Sequence, residues 1–86
     1  MASYRVELTR SAEKDLRRIE RSRVASVYAA MEGLADDPRP HGAKKLVGAE
    51  RTYRIRVGDY RIVYEIEDEV LVVLVIRVAH RREAYR

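Results

Sequence analysis

Cysteine, phenylalanine and tryptophan are all missing from this 86-residue chain, and proline occurs only twice. Without cysteine there are no disulfides and no thiolate metal sites. Two distant histidines, His41 and His80, make a poor ligand set, so no metal and no cofactor is expected. The four glycines, Gly33, Gly42, Gly48 and Gly58, are scattered, so no glycine-rich loop exists to cradle a nucleotide phosphate. No Ser/His/Asp grouping is evident. No run is long or apolar enough for a membrane span. The opening segment Met1–Leu8 alternates like a strand rather than holding a signal-peptide apolar core. These readings lead to the expectation of a cytoplasmic protein with no membrane partner.

What the chain does have is charge and tyrosine. Six tyrosines supply all the aromatic surface. Charged residues make up 37% of the chain beside 47% hydrophobic, a balance that folds rather than staying disordered. The net charge of +4 is unevenly spread. Residues 1–38 carry seven basic and seven acidic side chains, whereas residues 39–86 carry eleven and seven. A one-sided basic excess favours a polyanionic or acidic partner. Fifteen of the eighteen basic residues are arginine, which forks onto phosphate in a way lysine cannot. A GC-rich genome would produce the same bias, so the bias alone decides nothing.

The length fits one domain over residues 1–86. Residues 4–8 read as a first strand with Tyr4, Val6 and Leu8 on one face. Thr9 or Ser11 can cap a helix in which Ala12, Leu16 and Ile19 recur at helical spacing. After a break near Arg21–Ser22, the residues Val24, Val27, Tyr28, Met31, Leu34 and Ala35 form the stripe of a second helix. Pro38 limits that helix at about Asp37. A short link between two helices predicts an antiparallel helix hairpin that needs a sheet to cover. The run from Asp37 to Gly42 is a loop, and Ala43 to Val47 can be extended. Residues 52–57, 60–66 and 70–78 read as strands, the last apolar at every position except Arg77. Such a strand belongs inside the sheet, which puts the first strand beside the last. The fold expected is α+β: an N-terminal strand, an antiparallel helix hairpin, then a three-stranded antiparallel meander, forming a four-stranded sheet with the helices packed on one face (β-α-α-β-β-β).

The most informative stretch is Arg54 to Tyr64. A two-residue Gly58-Asp59 loop would pair Val57 with Tyr60, Arg56 with Arg61, Ile55 with Ile62 and Tyr53 with Tyr64. Alternation then gives Tyr53, Ile55, Val57, Tyr60, Ile62 and Tyr64 one face and Arg54, Arg56 and Arg61 the other. Like charges placed directly opposite are destabilising. A sheet that keeps such a cluster has a use for it, and a phosphate backbone suits three neighbouring guanidinium groups. Pairing of these arginines with Glu65 or the turn Glu67-Asp68-Glu69 is the bland alternative. Lys44 and Lys45 can touch the same backbone, or simply occupy an exposed edge.

His80, Arg81 and Tyr85 follow the last strand. An antiparallel return would bring them beside the Gly58-Asp59 turn, near Arg56 and Arg61. Histidine titrates near neutrality and can act as acid or base, and tyrosine can stack on a base. A frayed basic end is the alternative here.

The strand, helix-hairpin and meander order resembles the RelE/ParE toxin superfamily of toxin–antitoxin systems. So do Lys45-Leu46, Tyr53-Arg54-Ile55-Arg56, the block from Gly58 to Ile66, and the ending from Arg77 to Tyr85. The resemblance spans essentially the whole chain. It implies a toxin neutralised by a cognate antitoxin, an acidic and partly disordered chain that folds on it. In RelE-like members it implies metal-independent cleavage of messenger RNA on the ribosome, by attack of a 2′-hydroxyl on the adjacent phosphate. By position, Arg61 would stabilise the transition-state phosphate, Arg81 would protonate or stabilise the leaving oxygen, and Tyr85 would stack on or orient the nucleotide. Arg54 and Arg56 stand where the best-known RelE-type toxins carry lysine. Arginine does not give up its proton, so neither can be the general base; His80 is the choice, with Tyr85 second. A ParE-like poison of DNA gyrase with the same fold, or a non-catalytic member, is the competing reading.

Overall fold

The structure is a computed structural model that describes residues 3–81. Its order is β1 (Arg5–Leu8), α1 (Arg10–Arg17), a 3-10 turn (Arg21–Arg23), α2 (Val24–Asp36), β2 (Lys44–Lys45), β3 (Thr52–Val57), β4 (Tyr60–Glu67) and β5 (Val72–His80). The α+β class is the one expected. The sheet has five strands rather than four, because Lys44 and Lys45 pair with Arg54 and Tyr53 as a short edge strand. Sheet order is β1-β5-β4-β3-β2. β1 and β5 run parallel, and the other pairs are antiparallel.

Local chemistry explains both helices. Thr9 is extended and its hydroxyl accepts from Ala12 N–H at 3.1 Å, capping α1. Glu13 sits in the first turn and Lys14 and Arg17 in the last, each sign suited to its end of the helix dipole. α2 stops at Asp36 because Asp37 is extended ahead of Pro38. Its stripe buries Val27, Met31 and Leu34, while Tyr28 remains 42% exposed at the rim.

Both helices pack on one face of the sheet. The core joins Ala12, Ile19, Val27, Met31 and Leu34 to Ile55, Tyr60, Ile62, Tyr64, Ile66, Val73, Val75 and Val78. Burying one such side chain contributes roughly 1.5–3 kcal/mol. Two tyrosines tie the helical layer down by their hydroxyls. Tyr64 Oη donates to Pro38 O at 2.8 Å, and Tyr60 Oη accepts from Glu20 N–H at 3.0 Å. Burial pushes the Tyr64 phenol up to about 12.

β5 changes phase part-way along. Tyr64 pairs with Val75, yet Val63 pairs with Arg77, so Ile76 is an extra residue. A bulge of this kind moves every later side chain to the opposite face. Val73 and Val75 face the core before it and Val78 after it. β1 ends at Leu8, opposite Val75, so among the described residues β5 has no strand neighbour on that side beyond this point. Thr9 and Asp15 fill the place. Thr9 N–H donates to Val75 O at 3.0 Å and Thr9 Oγ1 to Ile76 O at 2.7 Å. Asp15 Oδ2 accepts from Val78 N–H and from Arg77 Nε, each at 2.8 Å. Arg77 Nη2 reaches Asp15 Oδ1 at 3.2 Å.

Candidate nucleic-acid interface

The hairpin register is the one read from the sequence: Val57 pairs with Tyr60, Arg56 with Arg61, Ile55 with Ile62 and Tyr53 with Tyr64. Gly58 has φ +59 and Asp59 does not have positive φ, which is the pattern of a type II′ loop. The Arg23 guanidinium lies over this turn, 3.6 Å from where a Cβ on Gly58 would stand.

Alternation places Arg54, Arg56 and Arg61 together on the face the helices leave uncovered. Lys44 pairs with Arg54 and joins them, whereas Lys45 pairs with Tyr53 and falls on the other face. Arg56 is exposed; Arg54 and Arg61 are half-buried, with Arg61 Nε enclosed. Two acids of the turn are engaged elsewhere. Asp68 binds Arg39 at 2.9 Å and Glu67 approaches Arg51 at 3.9 Å. Among the described residues, Arg54 and Arg56 form no ion pair.

His80 and Arg81 reach the hairpin turn, as antiparallel return requires. Arg81 N–H donates to Asp59 O at 2.6 Å. His80 pairs with Tyr60, and the two rings meet edge to face at 5.2 Å and 89°. Together with Arg18, Glu20 and Asp59 they line an open depression of about 720 Å³. The expected gathering of all these groups over one hollow is therefore only partly found. Tyr60 and Arg61 are consecutive on β4 and face opposite ways, so the His80 ring lies on the Tyr60 side and not among the arginines. The cause is the bulge at Ile76, which re-phases the end of β5. Tyr85 lies outside the described residues.

Sequence reasoning passed over Arg18, Arg23 and Glu20, which the link between helices brings to the hairpin turn, and Asp15. The signal for the bulge was present. Arg77 is in phase with Val73 and Val75, and a lone charge in the phase of the core marks a break in alternation.

A second polar group lies at the far end of the sheet. Arg39 grips Asp68 through Nη1 and Nη2 and donates from Nε to Tyr53 Oη at 3.3 Å. Tyr4 Oη donates to Asp68 Oδ1 at 2.6 Å. The Arg39 bond, and then the Tyr4 bond, hold the Asp68 carboxyl below its ordinary range. Tyr53 stacks on Tyr64 at 6.1 Å. These contacts fasten the loop after α2 to the β4–β5 turn and offer no open cation.

Among the described residues, no helix is long and apolar enough to cross a membrane. A family model described as the ParE toxin of the type II toxin–antitoxin system parDE matches residues 6–85. Toxin RelG of Mycobacterium tuberculosis is 34% identical over 84 residues, covering 96% of this chain and 97% of the relative. Toxin RelE of the same organism is also 34% identical over 84 residues, covering 96% of this chain and 87% of the relative. A chain of the toxin–antitoxin complex RelBE2 from Mycobacterium tuberculosis matches with TM-score 0.82 at 34% identity, over 94% of both chains. A chain of the archaeal RelE–RelB complex from Pyrococcus horikoshii matches with TM-score 0.81 at 25% identity, over 92% of this chain and 96% of the other.

Proposed function

The chain belongs to the RelE/ParE superfamily of type II toxins, and from that premise we propose that it is a ribosome-dependent messenger-RNA endonuclease. One observation carries the reading. Arg56 stands directly opposite Arg61 on the uncovered sheet face, with Arg54 and Lys44 beside them. Cations gathered on one strand face make a region of positive potential, and a nucleic-acid backbone supplies a row of anions to meet it.

In this reading Lys44, Arg54 and Arg56 hold the message by its phosphates, with Lys45 at the edge. The base takes the proton of a 2′-hydroxyl. The 2′-oxygen bonds to the adjacent phosphorus, the bond to the 5′-oxygen breaks, and that oxygen takes a proton from water. Arg61 stabilises the charge developing on the phosphate, and Arg81 serves the leaving oxygen. Arginines stay protonated, so the base is His80, with Tyr85 orienting the nucleotide. For His80 to reach the reacting hydroxyl, the strand must cross the end of the sheet at the Gly58–Asp59 turn, where both faces are within reach. Arg81, tied to Asp59, marks that end. No metal enters the scheme. The partner that silences the toxin is a cognate antitoxin, acidic and partly disordered until bound, laid over the basic groups in the cytoplasm.

The family description names ParE, which favours a second reading: poisoning of DNA gyrase without RNA chemistry. Expression of the chain followed by mapping of RNA breaks on translating ribosomes separates the two. Cuts in phase with codons support the nuclease; intact messages with cleaved DNA support the gyrase poison and reject the nuclease. Arg61→Ala should lower single-turnover cleavage by about 10²–10³-fold with the fold and antitoxin binding retained. Full activity in that variant removes Arg61 from the site. Comparing His80→Gln with Tyr85→Phe assigns the base: the His80 variant should be slow, and a fast one transfers the role to Tyr85.

A further inference from the structure

We propose that Asp15, on α1, is a positioning residue for the RNA-cleaving end of the sheet: it pins the leg of β5 after the Ile76 bulge and so sets where His80 and Arg81 stand relative to Arg61. The inference rests on the nuclease reading above.

β5 loses a neighbour part-way along. Up to Val75 it is held by strands on both edges. From Arg77 onward, β4 is its one strand neighbour among the described residues. A strand edge left with open N–H groups frays or recruits another chain. At this point a carboxylate replaces the missing strand. Asp15 takes the Val78 N–H and, with its other contacts, two nitrogens of Arg77. Its side chain is 10% exposed, and a carboxylate that enclosed needs such partners to be tolerated. Thr9, the cap of the same helix, holds the carbonyls of Val75 and Ile76. The first two turns of α1 and their cap therefore clamp the bulge on both sides.

The consequence is felt two and three residues further on. His80 meets the Tyr60 ring, and Arg81 is bonded to Asp59. β1 pairs with β5 only from Val72 to Val75, short of both. Loosening Val78 lets this leg move, while Lys44, Arg54, Arg56 and Arg61 sit on strands that Asp15 does not touch. Binding of the message and its cleavage should consequently come apart.

The test compares the full chain with Asp15→Ala, Asp15→Asn and Arg5→Ala, the last breaking an exposed ion pair with Glu7 on the same sheet. Amide exchange by NMR reads the pin directly. Single-turnover cleavage on programmed ribosomes reads its effect. Asp15→Ala should speed Val78 exchange by about tenfold. It should also lower the cleavage rate by about 100-fold, as a misplacement of about 1 Å does, with the half-saturating ribosome concentration within about threefold. Asp15→Asn keeps an oxygen for Val78 N–H and loses the charge on Arg77, so it should fall between; Arg5→Ala should match the parent. Unchanged Val78 exchange in Asp15→Ala overturns the proposal, and so does fast exchange with full cleavage. If the Asp15→Ala chain does not fold, Asp15→Asn decides by the same two readouts. If the parent chain cuts no RNA, the nuclease reading is what has failed. The pin is then judged by Val78 exchange and by loss or survival of the Tyr60–His80 ring contact.

Discussion

The two faces of the β3–β4 hairpin answer to different demands, although they alternate residue by residue. On the helix side, Ile55, Tyr60, Ile62 and Tyr64 are all buried and each meets an apolar or hydrogen-bonding partner. On the open side, Arg54, Arg56 and Arg61 gather like charges on one strand face. The first face holds the fold together. The second contributes little to that: a directly opposed pair of like charges is worth about 0.2–1 kcal/mol before any partner is counted, against roughly 1.5–3 kcal/mol per apolar side chain buried on the first.

The contrast can be broken most severely from the buried side. Ile62→Ala should cost about 2–5 kcal/mol through lost burial and a residual cavity, read as a lower denaturation midpoint at unchanged slope. A cost near zero would show that the helices do not cover this face. A smaller effect of opposite sign is expected across the sheet. Arg56→Ala should raise stability by about 0.2–1 kcal/mol and reduce the salt dependence of RNA binding by about one phosphate contact. A loss of stability would mean that Arg56 has a stabilising partner and is not held for an anion. The smallest effect concerns the far end of the hairpin. Arg39 and Tyr4 keep Asp68 below its ordinary range, so the ionised form is favoured in the folded state. That contribution is present above the unfolded carboxylate pKa and is lost as pH falls through the lower folded value. In Asp68→Asn the acid limb of the stability profile should be flatter, and an unchanged limb would show that solvent screens the pair fully.

Much of this molecule is legible in its sequence wherever the deciding interactions are local. The Gly58-Asp59 loop sets the hairpin register, and period-two alternation then sorts tyrosines from arginines. Thr9 and Pro38 bound the helices because a cap and a missing N–H act within one turn. The edge strand Lys44–Lys45 is less visible, since two polar residues carry no alternation to read. The facing of His80 is less legible. In the apolar run of β5 the phase shows only at Arg77, and that single residue signals a slip without fixing where it falls or which way His80 points.

The elements, the hairpin register and the concentration of arginine on one strand face follow from local rules, because capping, turns and alternation operate over a few residues. The side on which His80 lies follows from packing between distant segments. That depends on a carboxylate from α1 meeting the edge of a strand 62 residues away, at a point where β1 has ended and the ladder has slipped by one residue.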